Sequence, residues 1–200
     1  MKETSDREKI IRLFEPFDNK IFPVKNRFVR AATWLGACED ATGRATPAAI
    51  SRQAETASGG AGTVISEFSY ISPEGKAVPR QWGLDRGEAV DDVRRLAGVI
   101  HGSGSKLVGQ ICHAGGARRA DFSNGMPAYS PSGGEYPGSD MRSIMMTEED
   151  IQKVRRDFAA AALRAREGGA DGVEIHGAHG YLLTQFLSPL INRRSDRYGG

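Results

Sequence analysis

The chain has 200 residues, 39% of them hydrophobic and 26% charged, a composition that can bury a sizeable core and that excludes a membrane-embedded or disordered chain. Its 27 Lys and Arg against 25 Asp and Glu leave a formal net charge of +2, and the basic residues are dispersed, so nucleic acid is excluded as the expected partner. Only Cys38 and Cys112 are present, without CxxC or Cys/His spacing, which argues against a disulfide framework or structural zinc and for a reducing compartment.

Along the chain, the amino-terminal MKETSDREKIIRLF is charged and has no apolar stretch of signal-peptide length, so a cytoplasmic protein is expected. Residues 17–26 alternate around Asp18-Asn19 and predict a short β-hairpin acting as a plug or lid. Residues 28–34 read as a first strand. Thr46 and Pro47 then supply a helix cap and a first helical position, with the helix ending near Ser58-Gly59-Gly60. Residues 62–68 predict a second strand, residues 88–103 a helix with Val93, Leu96, Ala97 and Ile100 at helical spacing, and residues 106–112 a third strand. Residues 113–146 show no period but much Gly, Pro, Ser and Tyr, which suggests an active-site excursion. Thr147-Glu148-Glu149-Asp150 resembles a capped, acid-led helix start, residues 151–167 carry the helix, and residues 171–175 form a fourth strand. Lys25-Asn26-Arg27 and Arg118-Arg119 read as solvated faces.

Strand-helix alternation of this kind implies parallel strands joined by right-handed crossovers. Four such units are countable. A closed eight-stranded barrel takes about 250 residues, so the expectation is a half-barrel, the amino-terminal part of a larger domain, with no internal repeat or linker.

The chemistry concentrates after the fourth strand, where His176, His179 and Tyr181 fall within six residues, at the strand end where parallel α/β proteins bind ligands. Histidines there can simply bond to neighbouring backbone. Three apart in a turn, however, two imidazoles can aim at one small acceptor, an arrangement suited to holding an oxygen where negative charge develops. The same atoms, with His113 as a third ligand, would serve a metal-dependent hydrolase. Tyr181 reads as either a half-buried aromatic or a phenol that stays protonated at neutral pH. Ala31, Ala32 and Thr33 either carry a strand into a loop or let a planar ring approach the backbone. Gln110 offers a donor and an acceptor.

The run HGAHGYLLTQFLSPLINRRSDRYGG, together with FVRAAT at 28–33 and VGQICHAGG at 108–116, resembles the old yellow enzyme family of FMN-dependent ene-reductases and NADH:flavin oxidoreductases. Trp34 to Asp40 and the long excursion are most similar to the bacterial branch that includes 2-enoate reductases and NADH oxidases. The resemblance implies a TIM (β/α)8 barrel, of which residues 1–200 are the first four βα units with an N-terminal β-hairpin, part of a single FMN-binding domain. It implies non-covalent FMN, NADH or NADPH as reductant, and a small unsaturated carbonyl or enoate substrate, with no membrane or nucleic-acid partner and a homo-oligomer left open. By position, His176 and His179 would hold the substrate's activating oxygen over the flavin, and Tyr181 would protonate the α-carbon. Arg30, Ala31, Ala32, Thr33, Phe68, Gln110 and His176 would border the flavin, with Thr33 tuning it and Gln110 on its pyrimidine edge. No metal ligand is implied. The chain departs from the pattern at Ala31, near which a proline is frequent, and at Phe68, where a small residue is expected. The flavin phosphate is expected on loops after strands seven and eight, outside these four units. The competing readings are the barrel hydrolase and a non-catalytic, incomplete barrel whose exposed edges favour association.

Overall fold

The computed structural model describes residues 6–199; residues 1–5, part of the charged amino-terminal segment, and Gly200, the last residue of the quoted motif, lie outside the described residues. Helix α1 (Asp6–Phe14) was not expected from the sequence. It follows from an uninterrupted run of helix-tolerant residues without Gly or Pro, and its last residue packs Phe14 on Phe28 at 4.9 Å between ring centroids.

The predicted hairpin contracts to a single antiparallel bridge, with Phe17 and Val24 exchanging backbone hydrogen bonds of 2.9 and 3.0 Å. Between them the Asp18 carboxylate accepts from Lys20 N (2.8 Å) and the Asn19 side chain from Ile21 N (3.1 Å). Side chains therefore satisfy donors that a longer ladder would use. Phe22 reaches the amino-terminal end of the fourth barrel strand, within 3.9 Å of where a side chain on Gly172 would begin.

Strand β1 is only Val29–Arg30, shorter than the expected 28–34. Helix α2 (Pro47–Ser58) starts as predicted, with Ala49 N donating to Thr46 Oγ1 and Pro47 in the first turn. The predicted strand 62–68 is interrupted. β2 (Thr63–Ile65) and β3 (Ser69–Tyr70) both pair with the same strand, β4 (Lys106–Cys112), β2 beside its first half and β3 beside its end. The interruption has a polar cause: Gln110 N donates to the hydroxyl of Ser66 at 3.1 Å, and Glu67 N turns away to Gln53 Oε1 at 3.0 Å. Helix α3 (Ala89–Gly102) lies between these elements, and β4 has its predicted bounds.

Residues 113–146 hold a second, small sheet of β5 (Tyr129–Ser130), β6 (Gly134–Glu135) and β7 (Arg142–Met145), in the order β5-β7-β6. Strands of two to four residues carry too few positions for a period to register. Arg118, expected on a solvated face, is buried there at 1% exposure and donates to Pro73 O and Ser123 O at 2.9 and 2.7 Å; its ordering of backbone carbonyls is a tertiary event. Helix α4 (Glu148–Glu167) opens with a capping box in which Thr147 and Asp150 exchange side-chain-to-backbone bonds, β8 (Gly172–Ile175) follows, and a short helix α5 (Leu182–Leu187) closes the described segment.

The main sheet is parallel throughout, running β1-β2-β4-β8 with β3 also on β4. That is the strand order of four successive βα units. Helices α2, α3 and α4 cover one face, where Ile50, Val64, Val93, Leu96, Ile100, Leu107, Ile111, Ala161 and Ala165 form one core. β1 and β8 are the free edges, and Val29 and Ile175 are 58% and 56% exposed on them.

A buried carboxylate locks the helical layer. Asp92, fully buried in the first turn of α3, receives two bonds from Arg44 (2.8 and 2.9 Å), one from Arg95 (2.6 Å) and one from Ala45 N (3.0 Å). Burial alone would raise its pKa, but these donors outweigh that and hold it below the usual value. Asp92→Ala is expected to cost about 2–3 kcal/mol at pH 7, since several charge-assisted bonds go. Because the folded pKa is depressed, that contribution is present above the unfolded pKa, about 4, and lost as pH falls through the folded value. Denaturant titration of parent and variant at pH 7 and at pH 3 checks both the size and the closing of the gap.

Candidate active site

All the residues singled out after the fourth strand converge at the carboxyl ends of β4 and β8. The register Gln110↔Glu174, Ile111↔Ile175 places His176 beside the end of β4, and His176 N donates to Ile111 O at 2.9 Å. His179 and Gly180 take left-handed backbone angles, φ 55° and 74°, which reverse the chain within two residues. Leu182 N then donates to His113 O at 3.0 Å, binding the start of α5 to the loop after β4.

The loop brings the rings of His176, His179 and Tyr181 together. Ring centroids lie 5.2 Å apart for His176 and His179 and 4.9 Å apart for His176 and Tyr181, both edge-on. Phe68 completes the group, stacked on Tyr181 at 5.8 Å and 6.0 Å from His176. Phe68 thus serves as a packing wall, and its carbonyl already accepts from Gln81 Nε2 at 3.1 Å. With Ala77, Cys112 and Ala114 it forms a small second apolar cluster under Tyr181.

The protonation states follow from this packing. His176 is buried, and burial first, then the neighbouring His179, pushes its pKa below the ordinary value. Its Nδ1 accepts from Ala178 N at 3.3 Å, so the neutral ring carries its proton on Nε2 and can donate it. Burial, with smaller contributions from Cys112 and Tyr136, raises the Tyr181 phenol to about 12. A neutral imidazole donor and a fully protonated phenol therefore stand side by side at pH 7.

The other expected residues are placed less uniformly. Gln110 points to the face of the sheet away from the helices, and its carboxamide donates to Glu174 on β8. The cross-strand pairing that makes Glu174 the neighbour of Gln110 is invisible in the linear order. Arg30 pairs with Val64, which is fully buried in the helical core, so its side chain lies on the helix-facing side, where the guanidinium donates to Ile65 O at 3.3 Å. Only backbone is then available to a ligand at residue 30. Beyond it, Ala31 and Thr33 are exposed and Ala32 half-buried, with the Thr33 hydroxyl donating to Ala31 O at 3.2 Å.

His113 does not join the imidazole pair. Its Nδ1 accepts from Gly115 N at 3.0 Å and its ring packs against Gly75, with Glu74 and Lys153 nearby. Among the described residues no three His, Cys, Asp or Glu side chains are grouped to hold a metal. Sequence reasoning also missed Tyr136 and Gln185, both bonded to Gly180 O. A tyrosine in an aperiodic loop and a glutamine in a helix carry no signal of that.

A protein-family model described as the NADH:flavin oxidoreductase / NADH oxidase family matches residues 12–200. The chain is 37% identical over 189 residues to an NADPH dehydrogenase of Listeria welshimeri and 33% identical to one of Bacillus subtilis, spanning 94% of itself and 55% of each relative. It therefore covers about half the length of these relatives. Among solved structures it superposes on an old yellow enzyme homologue from Zymomonas mobilis with a TM-score of 0.83 at 29% identity, covering 94% of this chain and 54% of that one. It superposes on a 2-naphthoyl-CoA reductase in complex with 2-naphthoyl-CoA with a TM-score of 0.88 at 28% identity, covering 94% of this chain and 30% of that one. No helix among the described residues is long and apolar enough to cross a membrane.

Removing the His179 imidazole should raise the pKa of His176 without restoring its ordinary value, because burial, the larger cause, remains. Titration of the His176 ring by NMR in parent and His179→Ala checks this. An unmoved midpoint would mean that the two rings do not sense each other.

Proposed function

Since the chain belongs to the NADH:flavin oxidoreductase / NADH oxidase family, we propose that it forms the substrate-binding half of an FMN-dependent oxidoreductase that uses NADPH or NADH to reduce carbon-carbon double bonds activated by a carbonyl or similar group. The observation that carries this reading is the trio at the end of β8: a neutral imidazole donating from Nε2, a second imidazole at 5.2 Å and a protonated phenol at 4.9 Å between centroids.

The residues present suit a flat cofactor with a polar edge. The stretch 31–33 has two alanines and an exposed hydroxyl, and the oxygen of the Gln110 carboxamide has no hydrogen-bond donor among the described residues. Gln110, Thr33 and the backbone of residues 30–33 would hold the ring, and the phenyl of Phe68 supports the trio from behind. When bound, FMN supplies hydride transfer from the nicotinamide to the substrate's β-carbon.

The chain's own residues do the rest. His176 and His179 donate to the substrate's activating oxygen, and their bonds strengthen as negative charge builds there, which makes them selective for the transition state. A neutral His176 does this without placing a second charge in a partly dry site. Tyr181 transfers its phenolic proton to the α-carbon. Its raised pKa keeps the proton in place until a carbanion-like centre, a far stronger base than water, presents itself. Stacking on Phe68 and the edge of His176 restrict the phenol to one direction. The barrel hydrolase reading is the weaker one, because His113 is turned toward Gly75 and not toward the imidazole pair.

In the FMN-loaded protein, Tyr181→Phe should leave flavin reduction by the nicotinamide near the parent rate and slow alkene reduction by roughly 10²–10⁴-fold, the range for loss of a general acid. Stopped-flow measurement of the two half-reactions separates these. Equal slowing of both would assign Tyr181 to packing alone, and no slowing would assign the proton to another donor.

A further inference from the structure

One carbonyl oxygen in the site loop accepts from two side chains that arrive from different parts of the chain. Gly180 O receives the Tyr136 hydroxyl at 2.5 Å and Gln185 Nε2 at 2.7 Å. Gln185 is 1% exposed, and its carboxamide also donates to Ala114 O at 3.0 Å and accepts from Gly116 N at 2.9 Å. A single side chain thus joins the loop after β8 to the loop after β4, and Tyr136 ties both to the excursion that carries the small sheet.

Two glycines make room for this arrangement. Gly180 has φ 74°, and a Cβ there would collide with the Tyr136 hydroxyl; Gly115 has φ 63°, and a Cβ there would collide with the Gln185 carboxamide. Between the strand and the clamp sits His179, a non-glycine residue at φ 55°. Such a conformation is uphill for a side chain with a Cβ and persists only where the surroundings over-determine it. The bonds on the adjoining carbonyl supply that determination.

We propose that Tyr136 and Gln185 are positioning residues: by gripping Gly180 O they hold the 176–181 loop so that the two imidazoles and the phenol face one substrate oxygen and one carbon. This rests on the reading of the trio given above. Neither residue touches the reacting atoms. Their effect is preorganisation, and it falls on the substrate step, where the geometry of donors matters most. It also makes the excursion part of the site's alignment: whatever displaces Tyr136 loosens the donors.

The test uses Tyr136→Phe and Gln185→Leu in the FMN-loaded protein, with a simple phenolate as a stand-in for an oxyanion. Tyr136→Phe removes one bond and keeps the ring. It is expected to keep the parent's thermal midpoint and flavin spectrum, to weaken phenolate binding and slow alkene reduction by about tenfold each, and to leave nicotinamide-driven flavin reduction unaltered. Backbone amide exchange at residues 178–181 should quicken in the same variant. Gln185→Leu should act in the same direction and more strongly. Phenolate affinity and alkene reduction both equal to the parent's in Tyr136→Phe would overturn the proposal, as would parallel slowing of both half-reactions with a lowered thermal midpoint, which marks a structural role. If the parent itself binds no phenolate and reduces no alkene, the functional reading fails separately. The clamp is then judged by amide exchange and by the His176 titration midpoint, and values equal to the parent's in Tyr136→Phe would overturn it. Should Gln185→Leu fail to fold, Tyr136→Phe alone decides.

Discussion

The register of β8 on β4 governs where the two imidazoles and the phenol of the candidate site end up. In a parallel pair a slip of one residue turns each side chain of the slipped strand to the opposite face, which would send Glu174 into the helical layer, away from Gln110, and Val173 out of it. Asp171, just before β8, holds the alignment from both sides. One oxygen accepts from Lys106 Nζ at 2.7 Å, and the other accepts from Leu107 N at 2.9 Å and meets His101 Nε2 at 2.7 Å. Burial alone would raise its pKa, but these partners keep it below the usual value. It therefore stays ionised at neutral pH, and its grip on the start of β4 is an ionic one. From that anchor, four residues of strand deliver His176 to the end of β4.

Two kinds of packing then divide the labour at the carboxyl ends of the strands. Apolar contact orients the rings: Phe68 is stacked on Tyr181, and Cys112, Ala77 and Ala114 fill the space beneath. Polar contact positions the backbone between them, through Leu182 N on His113 O and the two donors on Gly180 O. The first kind sets protonation, since a dry surrounding depresses the His176 imidazole and raises the Tyr181 phenol. The second sets direction. A bulky residue at position 68 suits this division, because a small one would leave the phenol without its stacking partner.

Much of the architecture is legible in the order of residues because the signals are local. Thr46-Pro47 and the Thr147/Asp150 box start helices through bonds made within four residues. The strand signal of residues 106–112 and the periodic stripe Val93, Leu96, Ala97 and Ile100 of α3 mark a strand and a helix that packs on the sheet. The spacing of His176, His179 and Tyr181 foretells a shared face once a turn is placed there, and the turn itself is made by His179 and Gly180. Local signals fail where the deciding partner is distant. The strand expected at 62–68 breaks because Ser66 and Glu67 bond to Gln110 and Gln53. Arg118 is buried because Pro73 and Ser123 offer it carbonyls. Arg30 faces the helices because Val64 is its neighbour.

The sequence by itself determined the alternation of strands and helices, the family to which the chain belongs, and the residue types gathered after the fourth strand, because each of these is written in short-range spacing or in a contiguous motif. Tertiary structure alone decided which imidazole is the dry, neutral donor, that His113 stands outside the pair, that Gln110 meets Glu174, and that Tyr136 and Gln185 share one carbonyl. The reason is physical: desolvation and hydrogen-bond partnership depend on atoms brought together across tens of residues, and no local pattern encodes which distant group arrives.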